Sequence, residues 1–242
     1  MMDMDLVPWL SKKEIGRKAA LVLKEAGSEL GLEIAPPVPI EAIIEQVFGI
    51  YLLVEDLTKV YGDFSWANDL LGATILSRKQ ILIHDKLLSD AKEHGRYHFT
   101  CAHELAHWVI HRPLFKTSEQ SVREGSPGND ILCRTSNNRQ RGEWQADYMA
   151  ACLLMPEAFT RKAFHVAVSE KPLILMNREG SVCRDENPMW LEPVLAHIPH
   201  FAQEVIRAGN FTNVSKTAMG IRLQELGLLV NAVNQPWVDS VE

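Results

Sequence analysis

His103, Glu104 and His107 stand in the order His-Glu-x-x-His, inside the run Cys101-Ala102-His103-Glu104-Leu105-Ala106-His107-Trp108. Histidines four apart on a helix share one face, about one turn from each other. Both imidazoles can then grip a single zinc ion, with Glu104 placed beside it to take a proton from water. A chain with nine histidines also meets this pattern by chance, so its weight comes from the residues around it.

Two histidines hold zinc poorly; a catalytic site uses three protein ligands and keeps one position open. A third histidine six residues after His107 would complete one known arrangement, but that position is Pro113, which cannot ligate. The alternative is an acidic residue on a second helix packed against the first. Glu143, Ala146, Asp147, Ala150 and Leu154 share one helical face. The two alanines are small enough for close helix approach, so Glu143 can reach the ion. Asp147, one turn on, can accept a hydrogen bond from the free ring nitrogen of a ligand histidine and fix its tautomer. The competing reading is structural. Glu143 is then a carboxylate favoured by the positive end of its helix, and Asp147 a solvated charge.

The elements that must position these residues follow from pattern. Ser11-Lys12-Lys13-Glu14 has the form of a capping box, and Ile15, Ala19, Leu23 and Ala26 then recur at helical spacing up to Gly31. Pro36-Pro37-Val38-Pro39 breaks the chain before a short helix over 40–48. Residues 50–54 read as a strand, as do 73–76 and 80–84, the last two joined by Ser77-Arg78-Lys79. Residues 90–95 are polar and read as surface. The motif helix spans about 99–111 and is expected to stop before Pro113. Residues 117–142 lack periodicity and read as a long loop. A helix over 143–154 ends at Pro156, and further helices are expected over 158–168, 200–208 and 215–226.

The bulk composition sets bounds. With 46% hydrophobic and 23% charged residues and a net charge of −6, the chain reads as an ordinary folded protein without a basic field for nucleic acid or anionic membrane. The acidic start Met1-Met2-Asp3-Met4-Asp5 is followed by no long apolar stretch, so neither a secretory signal nor a membrane span is expected. Cys101, Cys133, Cys152 and Cys183 form no Cys-x-x-Cys pair and read as reduced thiols of a cytoplasmic protein.

The run Phe99-Thr100-Cys101-Ala102-His103-Glu104-Leu105-Ala106-His107, then Glu143-x-x-Ala146-Asp147-Tyr148-Met149-Ala150 and Leu153-Leu154-Met155-Pro156, closely resembles the ImmA/IrrE family of zinc metallo-endopeptidases. The segment from Phe211 through Val214-Ser215, Ala218-Met219 and Arg222-Leu223 to Leu226-Gly227-Leu228 is similar to that family's tail, and residues 36–57 more loosely to its N-terminal part. Met149 stands where Phe is usual, and the segment 117–142 is longer than usual. The resemblance implies one zinc on His103, His107 and Glu143, with Glu104 as catalytic base. It further implies cleavage of a protein substrate, typically a helix-turn-helix repressor of a stress or mobile-element operon.

Other residues keep weaker readings. Tyr97, His98 and Tyr148 are candidates to steady an oxyanion by sequence proximity alone. His111 reads as a capping residue at the helix C-terminus rather than a fourth ligand, and His84, His165 and His200 as surface or half-buried side chains. Cys133 could swing onto the metal as a redox switch; an ordinary loop cysteine is the simpler reading. Residues 73–76 or 80–84 could pair with an extended substrate by strand addition. In the tail, Ser215 and Gly227 suit helix caps and 200–228 can form a helix-turn-helix. Residues 201–234 nevertheless carry only Arg207, Lys216 and Arg222 against Glu204 and Glu225, a net charge of +1, a weak footprint for DNA.

The expectation is an α+β protein. Its zincin-like metallopeptidase domain over 1–160 has a small antiparallel or mixed sheet and a metal-binding helix pair. A helical, helix-turn-helix-like module follows over 161–242. The competing function is a metal-stabilised regulatory binding protein that docks a protein or DNA without proteolysis.

Overall fold

Ser11 opens the first helix as its spacing to Glu14 suggests. In the computed structural model, which describes residues 7–61, 70–116, 130–134, 141–168, 170–171, 173–175 and 198–231, α1 spans Lys12–Leu30. The Ser11 hydroxyl accepts from the Glu14 amide at 3.3 Å, and the Glu14 carboxylate accepts from the Ser11 amide at 2.8 Å. Gly31, at φ 64°, closes the helix in the left-handed conformation. The buried stripe is Ile15, Ala19, Val22 and Ala26. Val22 rather than Leu23 continues it, because alternating steps of four and three hold a helix face better than two steps of four.

The chain divides into two compact units, Met1–Pro156 with Thr212–Ser215, and Glu157–Phe211 with Lys216–Glu242. In the first, α2 (Ile40–Ala42) runs into a π-turn at Ile43–Val47, followed by β1 (Tyr51–Glu55), α3 (Leu57–Tyr61), β2 (Leu70–Ile75) and β3 (Gln80–His84). Next come α4 (His94–Ala106), a π-turn at His107–His111, α5 (Arg112–Lys116), β4 (Asp130–Arg134) and α6 (Arg141–Leu154). In the second unit, α8 (Ile198–Gly209) packs on both α7 (Glu157–Ala167) and α9 (Lys216–Glu225). A short parallel pair, β5 (Leu173–Leu175) with β6 (Leu229–Asn231), accompanies them, so this unit is not wholly helical. The class is mixed α and β.

The sheet of the first unit has the order β1-β3-β2-β4, with β1 parallel to β3 and the other pairs antiparallel. Both central strands are buried along almost their whole length, since helices cover both faces. On one face Leu70, Ala73, Ile75 and Leu82 join Leu57 of α3 in a core cluster. On the other, α4 packs against β2 and β3. The register between β2 and β4 shifts between Leu70 and Gly72. This bulge puts Leu70 on the same face as Ala73 and Ile75, and leaves Gly72 and Thr74 to meet α4.

Four expectations need correction. The motif helix begins at His94, five residues earlier than its apolar pattern suggests, behind a 3-10 turn at Ala91–Glu93 that Asp90 caps by accepting from the Lys92 amide. It also does not stop before Pro113. The π-turn, whose Arg112 amide bonds the His107 carbonyl, leads directly into α5. Pro113 thus falls in the first turn of a helix, where its missing N–H costs nothing. The segment 117–142 is not all loop, because it contains β4 and the first residues of α6. Finally, β2 and β3 cannot take a substrate strand, since each already has a neighbour on both sides. The rest of that segment, 117–129 and 135–140, and the Cys133 thiol lie outside the described residues.

Gly72 sets how closely α4 approaches the sheet. A Cβ there would stand 2.8 Å from Glu104 Oε1 and 2.8 Å from Thr100 Cγ2. Gly72→Ala must therefore push α4 and β2 apart, an overpacking that costs about 1–3 kcal/mol. Urea denaturation of the variant should show a lower midpoint at unchanged slope; an unchanged midpoint would mean that this contact is soft.

Candidate metal centre

His103 and His107 project from α4 and the start of its π-turn, and Glu143 from the first turn of α6. The helices meet through small residues: Ala102, Ala106, Ala146 and Ala150 are all fully buried. The two Nε2 atoms lie 2.9 Å apart. Glu143 Oε2 is 3.2 Å from His103 Nε2, and Oε1 is 3.5 Å from His107 Nε2. One ligand atom from each of the three residues falls within 4.8 Å of the others. Glu143 thus sits at a helix N-terminus and also faces both imidazoles.

The outer nitrogen of each imidazole is engaged. His103 Nδ1 is 2.8 Å from Asp147 Oδ1, and because an ionised carboxylate only accepts, Nδ1 carries a proton. His107 Nδ1 is 2.9 Å from His111 Nδ1. Two imidazoles and a carboxylate converging from inside the protein form a donor set that suits zinc. Burial works to raise the Glu143 carboxyl, but His107 nearby and hydrogen bonds from both histidines outweigh it and hold the group well below the usual carboxylate range.

Glu104 is fully buried, on the side of α4 that faces β2. The Thr74 hydroxyl stands 2.8 Å from its Oε2 and 3.0 Å from its backbone carbonyl. Oε1 has no hydrogen-bond partner among the described residues. Burial pushes this carboxyl above its ordinary range, opposed by His107, His103 and the Thr74 hydroxyl. A buried carboxylate with one oxygen held and the other unsatisfied is costly unless something polar occupies that space.

Pattern reading overlooked Gly72, Thr74 and Gln145 and misjudged His111. His111 is not a helix-terminal cap, because the helix continues past it. It is fully buried, its Nε2 is 3.2 Å from Gln145 Oε1, and burial pushes its pKa down to about 3. Tyr97 and His98 point to Glu41 instead, at 2.8 Å and 3.9 Å. Tyr148 stacks on Trp144, itself stacked on Trp9. His165 and His200 are exposed, whereas His84 is buried with Nδ1 2.8 Å from Asp85. Asp56, His84 and Asp85 form a second cluster of ligand-type atoms. Asp56 is already engaged there by Thr58 and Lys59, which explains it as a turn-capping residue.

Residues 45–173 match the profile of the peptidase M78 family, described as the IrrE N-terminal-like domain. No curated protein matches the chain. The match covers more than half of the sequence and includes every residue of the cluster on α4 and α6, and on that basis the chain belongs to the peptidase M78, IrrE N-terminal-like family.

Proposed function

We propose that this protein is a zinc-dependent endopeptidase that cleaves a regulatory protein in the cytoplasm, the best candidate being a helix-turn-helix repressor of a stress or mobile-element response. The observation that carries the reading is the convergence of His103, His107 and Glu143 on one point, with a half-satisfied carboxylate, Glu104, on the same helix. His103, His107 and Glu143 are the proposed ligands, and Asp147 is the residue that orients His103. Zinc held there would supply Lewis acidity, bringing the pKa of a water near to ~7 and polarising a peptide carbonyl.

The protein's own part is proton handling and alignment. The Thr74 hydroxyl holds Oε2 of Glu104, so Oε1 keeps free lone pairs and serves as the base that takes the proton from water. Once protonated, the same oxygen delivers that proton to the leaving amine. An extended substrate would fit the outer side of β4, because among the described residues β4 is an edge strand and its inner neighbour β2 carries Thr74. We divide the chain into a metallopeptidase domain over 1–160 and a C-terminal docking module over 161–242, helix-turn-helix-like at 200–228. DNA binding by that module gains little support, since Arg222, one of the three basic residues within 201–234, is buried. Among the described residues, no helix is long and apolar enough to cross a membrane.

Purified protein should carry about one zinc per chain, and Glu143→Ala far less, by elemental analysis. No zinc in either, even after metal is added, would remove the centre of this reading. Glu104→Gln should keep its zinc and lose about 10²–10⁴-fold in cleavage rate on a responsive member of a panel of helix-turn-helix repressors. If Glu104→Gln cleaves as fast as the unaltered protein, the base lies elsewhere. If neither cleaves but both bind a repressor, the protein is a metal-stabilised docking module.

A further inference from the structure

His107 raises a question that His103 does not. The proton on His103 Nδ1 is fixed by a carboxylate, Asp147. His107 Nδ1 instead faces another imidazole nitrogen, His111 Nδ1, at 2.9 Å, and either ring could in principle donate. The answer comes from the far end of the chain of contacts. Gln145 Nε2 donates to the Pro8 carbonyl at 2.8 Å, and a carbonyl can only accept. The amide is therefore oriented with Oε1 toward His111 Nε2, at 3.2 Å, and that nitrogen must carry a proton.

The near end gives the same sequence of donors. A metal ligand must present a bare nitrogen, and Nε2 of His107 is the atom that faces His103 and Glu143. Its proton then sits on Nδ1, which needs an acceptor, and the acceptor is a bare Nδ1 on His111. His111 holds its own proton on Nε2 and donates it in a hydrogen bond to Gln145 Oε1. Read from either end, every donor meets an acceptor. Residues His107, His111 and Gln145 are all fully buried, so bulk water does not compete for these partners.

We propose that His111 and Gln145 are positioning residues that fix His107 as its Nδ1-protonated tautomer, with the Pro8 carbonyl of the N-terminal segment as the fixed end of the relay. This rests on the zinc reading above and deepens it. The segment around Pro8 is itself held to α6: the Val7 carbonyl accepts from Arg141 at 3.1 Å, Val7 is fully buried, and Trp9 stacks on Trp144 with ring centres 5.2 Å apart. A residue near the start of the chain thus sets which nitrogen of His107 is free for metal.

The test combines zinc affinity with a spectroscopic signature. His111→Phe keeps a ring but offers no acceptor, and Gln145→Met removes the acceptor for His111 Nε2. Each should weaken zinc binding about 10–100-fold in competition with a chromophoric chelator. His111→Asn, whose amide oxygen can take the place of Nδ1, should restore affinity to within a few-fold of the unaltered protein. In zinc-loaded, 15N-labelled protein, His111 should show a proton on Nε2, a bare Nδ1, and a coupling across the hydrogen bond to His107 Nδ1. Circular dichroism establishes that each variant is folded before titration; the coupling, read on the unaltered chain, does not depend on any variant. A proton on His111 Nδ1, or folded Phe and Met variants that bind zinc as well as the unaltered chain, would overturn the relay. Failure of the unaltered chain itself to bind zinc would overturn the metal reading and the relay's purpose with it.

Discussion

Two imidazole nitrogens 2.9 Å apart, with a carboxylate at 3.2 Å and 3.5 Å, cannot sit inside a protein without positive charge between them. Left bare, their lone pairs would repel, and burial would strengthen that repulsion by removing water. The surrounding structure holds the three groups within reach of one another. Most of the first unit can be understood from this arrangement. Four buried alanines let α4 and α6 approach, and a bulged strand with glycine at the contact lets α4 settle onto the sheet. The imidazoles are kept from turning away by partners on their outer nitrogens.

Those partners differ in kind. His103 is oriented by a carboxylate whose side chain is 59% exposed, so solvent screens the pair. His107 is oriented by neutral donors and acceptors, the fully buried His111 and Gln145, which end on the Pro8 carbonyl. A neutral partner adds no charge to the interior, which matters because Glu104 and Glu143 already place two carboxyl groups near the metal position. A third buried carboxylate would raise the repulsion among them. The fold puts its charged support at the rim and its neutral support inside.

The residues of the candidate metal cluster are legible in the sequence because helical spacing puts each pair on one face of its own helix. His103 and His107 are four apart, and Glu143 and Asp147 repeat that interval beside Ala146 and Ala150. What pattern could not reach was anything that depends on pairing between distant segments. The β4 strand has no periodicity of its own and exists through its partner β2. The Thr74–Glu104 contact joins a strand to a helix thirty residues away. His111 was misjudged because Pro113 signals a helix end, whereas the π-turn lets the helix pass through that position. The partner that explains His111, Gln145, lies one residue outside the face chosen for the metal-facing side of α6.

The bulge in β2 links the two halves of the site. Without it, the strand would alternate regularly, and Leu70 would share a face with Gly72 and Thr74 against α4. With the extra residue, Leu70 turns into the cluster with Leu57 and Leu82, and the surface toward α4 is reduced to a glycine and a threonine. The glycine admits Glu104, and the threonine binds it. The same strand holds β4 in antiparallel register on its other side, with Thr74 opposite Ile131. The carboxylate read as the base and the edge read as the substrate's docking line are thus positioned by one strand. A change in its register would displace both together.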